Sequence, residues 1–241
     1  MKLVWFTDDR DPAAVAAAKY LMGKNWRVAL NERGGTGVDG CERTSVDLCD
    51  AASLKAAMAS FGDALRGVVH PAPPAIRASI EGADDSLWRR AFEEGALSAI
   101  LTVAAAGEHM AAYERGAIIA LSSIHAEKPM GHGFLYSMGC AATQMLMRDA
   151  ALDYGAKGIN CFFVQRGIME HDVQNAGDIG NLYSGAAFRY PKKRMPEPES
   201  LSGLIEFLLS GAAAALNGAD LRADEGMVMY YGNQLEGVSP T

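Results

Sequence analysis

The chain has 241 residues, 49% of them apolar, and a formal charge of -7 with acidic and basic residues interspersed. One α/β domain of that size buries roughly three-quarters of its unfolded surface, and an acidic, mixed-sign balance argues against nucleic acid or an anionic membrane as partner. No apolar run approaches the ~20 residues of a bilayer span, and the apolar part of MKLVWFTDD is too short for a signal peptide.

In chain order the apolar period alternates between strand and helix, the pattern of a doubly wound parallel sheet in a single domain over residues 1–241. KLVWF is a short strand, and Asp11 and Pro12 then open an alanine-rich helix to about Met22, one as cap and the other at the first helical position. WRVAL is the second strand. Gly34, Gly35, Thr36 and Gly37 follow as a loop rather than a phosphate cradle, because no helix opens after them. Ser53 to about Phe61 is a helix, GVVH a strand, and residues 86–109 a long helix interrupted by Gly95 and Gly107. GAIIALSS is a strand that ends on Ser123. Tyr136 to about Tyr154 is a helix with Cys140 one turn after Tyr136. GINCFFV is a strand, Leu201 to about Leu209 a helix, and Met227 to Tyr230 the last strand. Four cysteines (Cys41, Cys49, Cys140, Cys161) lack C-x-x-C pairing, and the five histidines are scattered. They are expected as reduced thiols of a cytoplasmic protein without a metal site.

Ser123 and Tyr136 stand thirteen positions apart in SSIHAEKPMGHGFLYSMGC, a spacing that resembles the short-chain dehydrogenase/reductase family. The resemblance implies a Rossmann-like fold and a lysine four residues after the tyrosine, where this chain has Cys140. In the family that lysine holds the nicotinamide ribose and lowers the tyrosine pKa. Without it a phenol of pKa ~10 is ionised to about one part in a thousand at pH 7. Ser123 and Tyr136 are therefore expected as vestigial hydrogen-bonded lining, with no functional catalytic residue. Cys140 is expected to be inert, having no activating histidine near it in sequence.

The family's cofactor turn reads T-G-x-x-x-G-x-G; here the stretch is Thr7 to Ala14, with Asp8, Pro12 and Ala14 in the glycine places. Side chains thus take the space where backbone meets pyrophosphate. A carboxylate about 5 Å from a phosphate oxygen is repelled by roughly 3 kcal/mol at an effective dielectric of 20. The expectation is that this chain binds no cofactor and that NAD belongs to a partner subunit. Asp47 matches the family's adenine-contacting aspartate. His70, Pro71, Ala72 and Pro73 replace N-N-A-G, Gly95 replaces the relay asparagine, and His171 a cofactor-touching threonine. Arg166 is a candidate for an anionic substrate group. His125 and His132 are expected exposed near the pocket mouth, and Met138, Met145 and Met147 as packing or interface residues.

The leading functional expectation is a non-catalytic subunit of a heteromeric reductase, similar to those of hydroxyacyl-CoA dehydrogenases in aromatic degradation. It would meet an active, NAD-dependent partner through helices 86–109 and 136–154, whose small residues permit close approach. A cover over the partner's site by Val238 to Thr241 is a further expectation. The alternatives are a cofactor-independent Ser/Tyr acid–base enzyme of halohydrin-dehalogenase type and a sensor of a small ligand.

Overall fold

Strand β1 (Leu3–Phe6) is apolar at every position because both of its faces are covered, as a central parallel strand requires. The computed structural model describes residues 1–129, 131–174 and 186–229. Val4 and Phe6 face one core layer, shared with α1 (Pro12–Met22) and α6 (Ser202–Leu208); Leu3 and Trp5 face the other. That second layer is shared with α2 (Ala51–Phe61), α4 (Ser98–Ala111) and α5 (Phe134–Gly155). Between them lie β2 (Arg27–Asn31), β3 (Glu42–Thr44), β4 (Leu65–Pro71), β5 (Gly116–Ser123), β6 (Ile159–Arg166) and β7 (Asp220–Ala223). Among the described residues seven strands run parallel in the order β3-β2-β1-β4-β5-β6-β7. Chain order reverses between β1 and β4, and a crevice beyond the carboxyl ends of strands at such a point is where an open α/β sheet receives ligands.

Most elements fall within a residue or two of where the sequence places them, and three differ by more. The last strand is Asp220–Ala223, ahead of the expected Met227–Tyr230, of which Tyr230 lies outside the described residues. Asp224 is the reason: its carboxylate accepts from Gly226 N at 3.0 Å and Val228 N at 2.8 Å, winding that stretch into a turn. Met227 is buried in a small satellite core with Ile168 and Tyr190. Strand β3 has no apolar run to announce it, since it is a three-residue edge strand of Glu, Arg and Thr. The long helix is divided into α3 (Asp85–Phe92), a π turn at Glu93–Leu97, and α4. Gly95 sits in that π turn, and a Cβ there would lie 3.3 Å from the Cα of Gly139 on α5. The glycine in the expected relay-asparagine place is thus the residue that lets two backbones meet.

Helix α1 starts as expected, with the Asp11 carboxylate accepting from Ala14 N at 3.0 Å. Helix α2 begins two residues ahead of the expected Ser53 because Asp50 caps it, accepting from Ala52 N. Among the described residues no helix is long and apolar enough to cross a membrane.

Candidate functional site

Three strand ends deliver the site: Thr7 after β1, His70 and Pro71 at the end of β4, and Ser122 and Ser123 at the end of β5. Thr7 Oγ1 and His70 Nδ1 are 2.8 Å apart, and both residues are buried. Burial holds His70 neutral, its pKa lowered to about 4. Helix α5 then brings Tyr136 and Cys140 to the two serines. The phenol of Tyr136 lies near the Ser123 hydroxyl, and the Cys140 thiol near Ser122 and Tyr136. Burial drives the Tyr136 pKa well above its ordinary value, and the nearby Cys140 adds to that. Burial likewise raises the Cys140 pKa, so a neutral thiol stands where a cation would favour the phenolate.

Two pockets meet at Tyr136. One, of about 420 Å³ counting space open to solvent, is largely apolar and is lined by Pro73, Pro74, Ile76, Leu135, Gly139 and Cys140. The other, of about 690 Å³ on the same count, is of mixed polarity and includes Ser123, His125, Arg166, His171 and Asp172. Ala72, Pro73, Pro74 and Tyr136 belong to both.

Arg166 is not the anion receptor that the sequence suggests. It is buried, with its guanidinium 3.1 Å from Asp11 and 2.6 Å from Asp172. Burial would lower its pKa, but Asp172 and Asp11 outweigh that and raise it well above the ordinary value. Buried as well as shared by two carboxylates, this cation is not presented to a ligand. His125 is a second correction: it is 8% exposed, stacked edge-on to Tyr136 with ring centroids 6.2 Å apart, whereas His132 is exposed as expected. Of the three methionines, Met147 is buried while Met138 and Met145 are exposed.

The turn after β1 is arranged differently from its sequence reading. Asp11 alone caps the helix. Asp8 turns onto Arg10 at 2.6 Å and lies 3.7 Å from Arg33. Asp9 accepts from the backbone N–H groups of Arg33 at 2.7 Å and Gly35 at 2.9 Å. Gly35 is obligatory in this packing, since a Cβ on it would fall 1.8 Å from the Asp9 carbonyl oxygen. Arg10 also reaches across the crevice to Glu94 at 3.3 Å. Pro12 and Ala14 lie within α1, and Ala14 is buried, so neither projects a polar group at the crevice. Asp47 is exposed at the sheet edge and accepts from Cys49 N at 2.8 Å. Arg10 and Arg33, each with a side chain 23% exposed, are the groups that phosphates would meet here in place of bare backbone. Among the described residues, no group of three or more His, Cys, Asp or Glu is placed to hold a metal ion.

Comparison with known proteins agrees with this architecture. Residues 14–228 match the family model described as enoyl-(acyl carrier protein) reductase. Cis-4-hydroxycyclohexanecarboxylate dehydrogenase of Sinomonas cyclohexanicum is 32% identical over 181 residues, covering 73% of this chain and 70% of that one. Two solved structures have the same fold. ElxO with NADP bound has a TM-score of 0.83 at 18% identity, over 95% of this chain and 99% of that one. A gluconate 5-dehydrogenase from Burkholderia cenocepacia, in complex with NADP and tartrate, has 0.84 at 20%, over 95% of each. The chain belongs to the short-chain dehydrogenase/reductase family.

These relatives overturn the expectation that the chain holds no cofactor and that NAD is confined to a partner. The curated relative is a dehydrogenase, and both solved structures of this fold hold NADP. The physical reason is charge pairing. The repulsion worked from sequence assumes free carboxylates at the turn, yet Asp8 is neutralised by Arg10 and Arg33, and Asp11 by Arg166. The signal was present in the sequence as Arg10 and Arg33, although their partners were not.

Proposed function

We propose that this family member takes a nicotinamide dinucleotide into the crevice, is slow or silent in hydride transfer, and works beside a catalytically complete subunit. Arg10, Arg33 and Asp47 would hold the dinucleotide, while Ser123 and Tyr136 line the reacting end. The bound cofactor would supply hydride chemistry; the chain's own shortfall is in moving the proton. The observation that carries this reading is Cys140, a buried neutral thiol that leaves the Tyr136 phenol protonated far above neutral pH. Losses of this kind resemble those in the inactive subunit of 2-[hydroxy(phenyl)methyl]succinyl-CoA dehydrogenase.

Association is supported by the outer faces of the helices at 86–109 and 136–154. Trp88 and Phe92 stack in solvent at 5.6 Å, and Ile100, Met138, Met145 and Leu152 are exposed. Met138, Ala142, Met145 and Leu152 recur at spacings of four, three and seven along α5, forming one stripe. The expected covering role of Val238 to Thr241 lies outside the described residues.

Titration of the isolated chain with NADPH, followed by fluorescence and paired with turnover assays on cyclic secondary alcohols, tests the reading. Saturable binding with kcat far below the ~1 s⁻¹ floor of ordinary enzymes is expected. Ordinary turnover by the isolated chain overturns the non-catalytic part; no binding at millimolar cofactor overturns the cofactor part. Co-expression with a lysine-containing family member should give one co-eluting complex that Ala142→Arg splits.

A further inference from the structure

Arg166, at the end of β6, divides its guanidinium between two carboxylates. Nε and Nη2 lie 3.2 and 3.1 Å from Asp11 Oδ2, while Nη1 and Nη2 lie 2.6 and 3.0 Å from the two oxygens of Asp172. The two carboxylates are not equally fixed. Asp11 caps α1, accepting from Ala14 N at 3.0 Å, and its side chain is 5% exposed. Asp172 sits on a single helical turn, Glu170–Gln174, and its side chain is 24% exposed. One turn of helix does not sustain itself, since nucleation costs more than its few hydrogen bonds return. Asp172 ties this turn down by accepting from Met169 N at 2.8 Å while it grips Arg166. Burial would raise the Asp172 pKa, but Arg166 outweighs that and lowers it, so the group is an anion at neutral pH.

The contact has the form that a phosphate would take, because a guanidinium meets carboxylate and phosphate through the same pair of parallel N–H donors. Arg166, Asp11 and Asp172 all line the pocket of mixed polarity, alongside Ser123 and Tyr136. Arg10 and Arg33 remain partly exposed in the crevice, whereas Arg166 is covered. We propose that Asp172 is an internal stand-in for a phosphate group, masking Arg166 until a phosphate of the dinucleotide displaces it and frees the turn at 170–174. This deepens the functional reading above and rests on the crevice taking a dinucleotide. Asp11 stays on Arg166 throughout, since moving it would uncap α1. Every binding event then includes breaking the Asp172 contact, which lowers the apparent affinity by that amount.

Hydrogen exchange of the full chain, read by mass spectrometry, tests this beside titration with two probes, NADPH and inorganic pyrophosphate. In the wild type either probe should speed exchange at residues 169–174 as the turn is released. Asp172→Asn keeps an acceptor for Met169 N but loses the charge, and should bind both probes about tenfold more tightly. Glu170→Gln removes an equal charge from an exposed side chain of the same turn, and should change affinity by less than about twofold. Unchanged or slower exchange at 169–174 with bound probe, no gain from Asp172→Asn, or an equal gain from Glu170→Gln overturns the proposal. The exchange measurement uses the wild-type chain, so a poorly folded variant does not shield the idea. Pyrophosphate that releases the turn where NADPH does not bind would count against the cofactor reading alone. NADPH that binds with the turn still protected would count against this one alone, and binding of neither probe by either protein would overturn both.

Discussion

His70 makes the fold sensitive to mild acid. Its ring is buried against Thr7, and burial lowers its pKa from 6.5 to about 4. A histidine whose folded pKa is depressed contributes stability that is complete above the unfolded value and is lost as pH falls toward the folded one. The window is therefore from about 6.5 down to about 4, with the unfolded chain taking up the proton first. Linkage gives a slope approaching ~1.4 kcal/mol per pH unit in that window, or about 2 kcal/mol lost at pH 5 relative to neutral. His70→Gln keeps an acceptor for Thr7 and removes the titration. Urea unfolding of both proteins at several pH values from about 7.5 to 5 isolates the histidine, because carboxylates change both curves alike. The wild type should lose about 2 kcal/mol more than His70→Gln over that range. Parallel curves would refute the claim that this ring is buried uncharged.

Two further outcomes follow from the same interior. A thiol reagent such as DTNB should modify the partly exposed Cys41 and Cys49 in the native protein, and reach the buried Cys140 and Cys161 only on unfolding. Burial pushes the Cys161 pKa up to about 12 and raises that of Cys140 as well. Native-state labelling of Cys140 as fast as Cys49 would place it in solvent. Arg166→Leu leaves Asp11 and Asp172 facing each other without their cation, and should cost about 3 kcal/mol or more in urea unfolding. A loss below about 1 kcal/mol would show that those carboxylates are hydrated.

The sheet and its helices were legible because their signals are local: apolar runs for β1, β4, β5 and β6, and Asp11-Pro12 for the start of α1. Strand β3 was not, since a three-residue polar edge strand is defined by its pairing with β2. The site was legible as a set of residues but not as a set of charges. Ser123, Tyr136 and Cys140 come together as their spacing implies. The arginines that neutralise Asp8 and Asp11 arrive from positions 10, 33 and 166, and no local pattern pairs them. His125 was misplaced for a related reason. Its burial depends on the loop carbonyl of Lys128 and on Tyr136 from another element.

The sheet's two ends bear on how this protein keeps company. Strand β3 offers three residues, and its Glu42 and Arg43 are tied back to Arg27 and Glu32. Strand β7 offers four, with Asp220 engaged by Arg148 and Gln144, and Arg222 by Glu127. Short borders with charges already spoken for make a poor template for a foreign strand. Among the described residues, a foreign strand would gain little by extending the sheet at either border, since each ladder is short and its side chains are already paired.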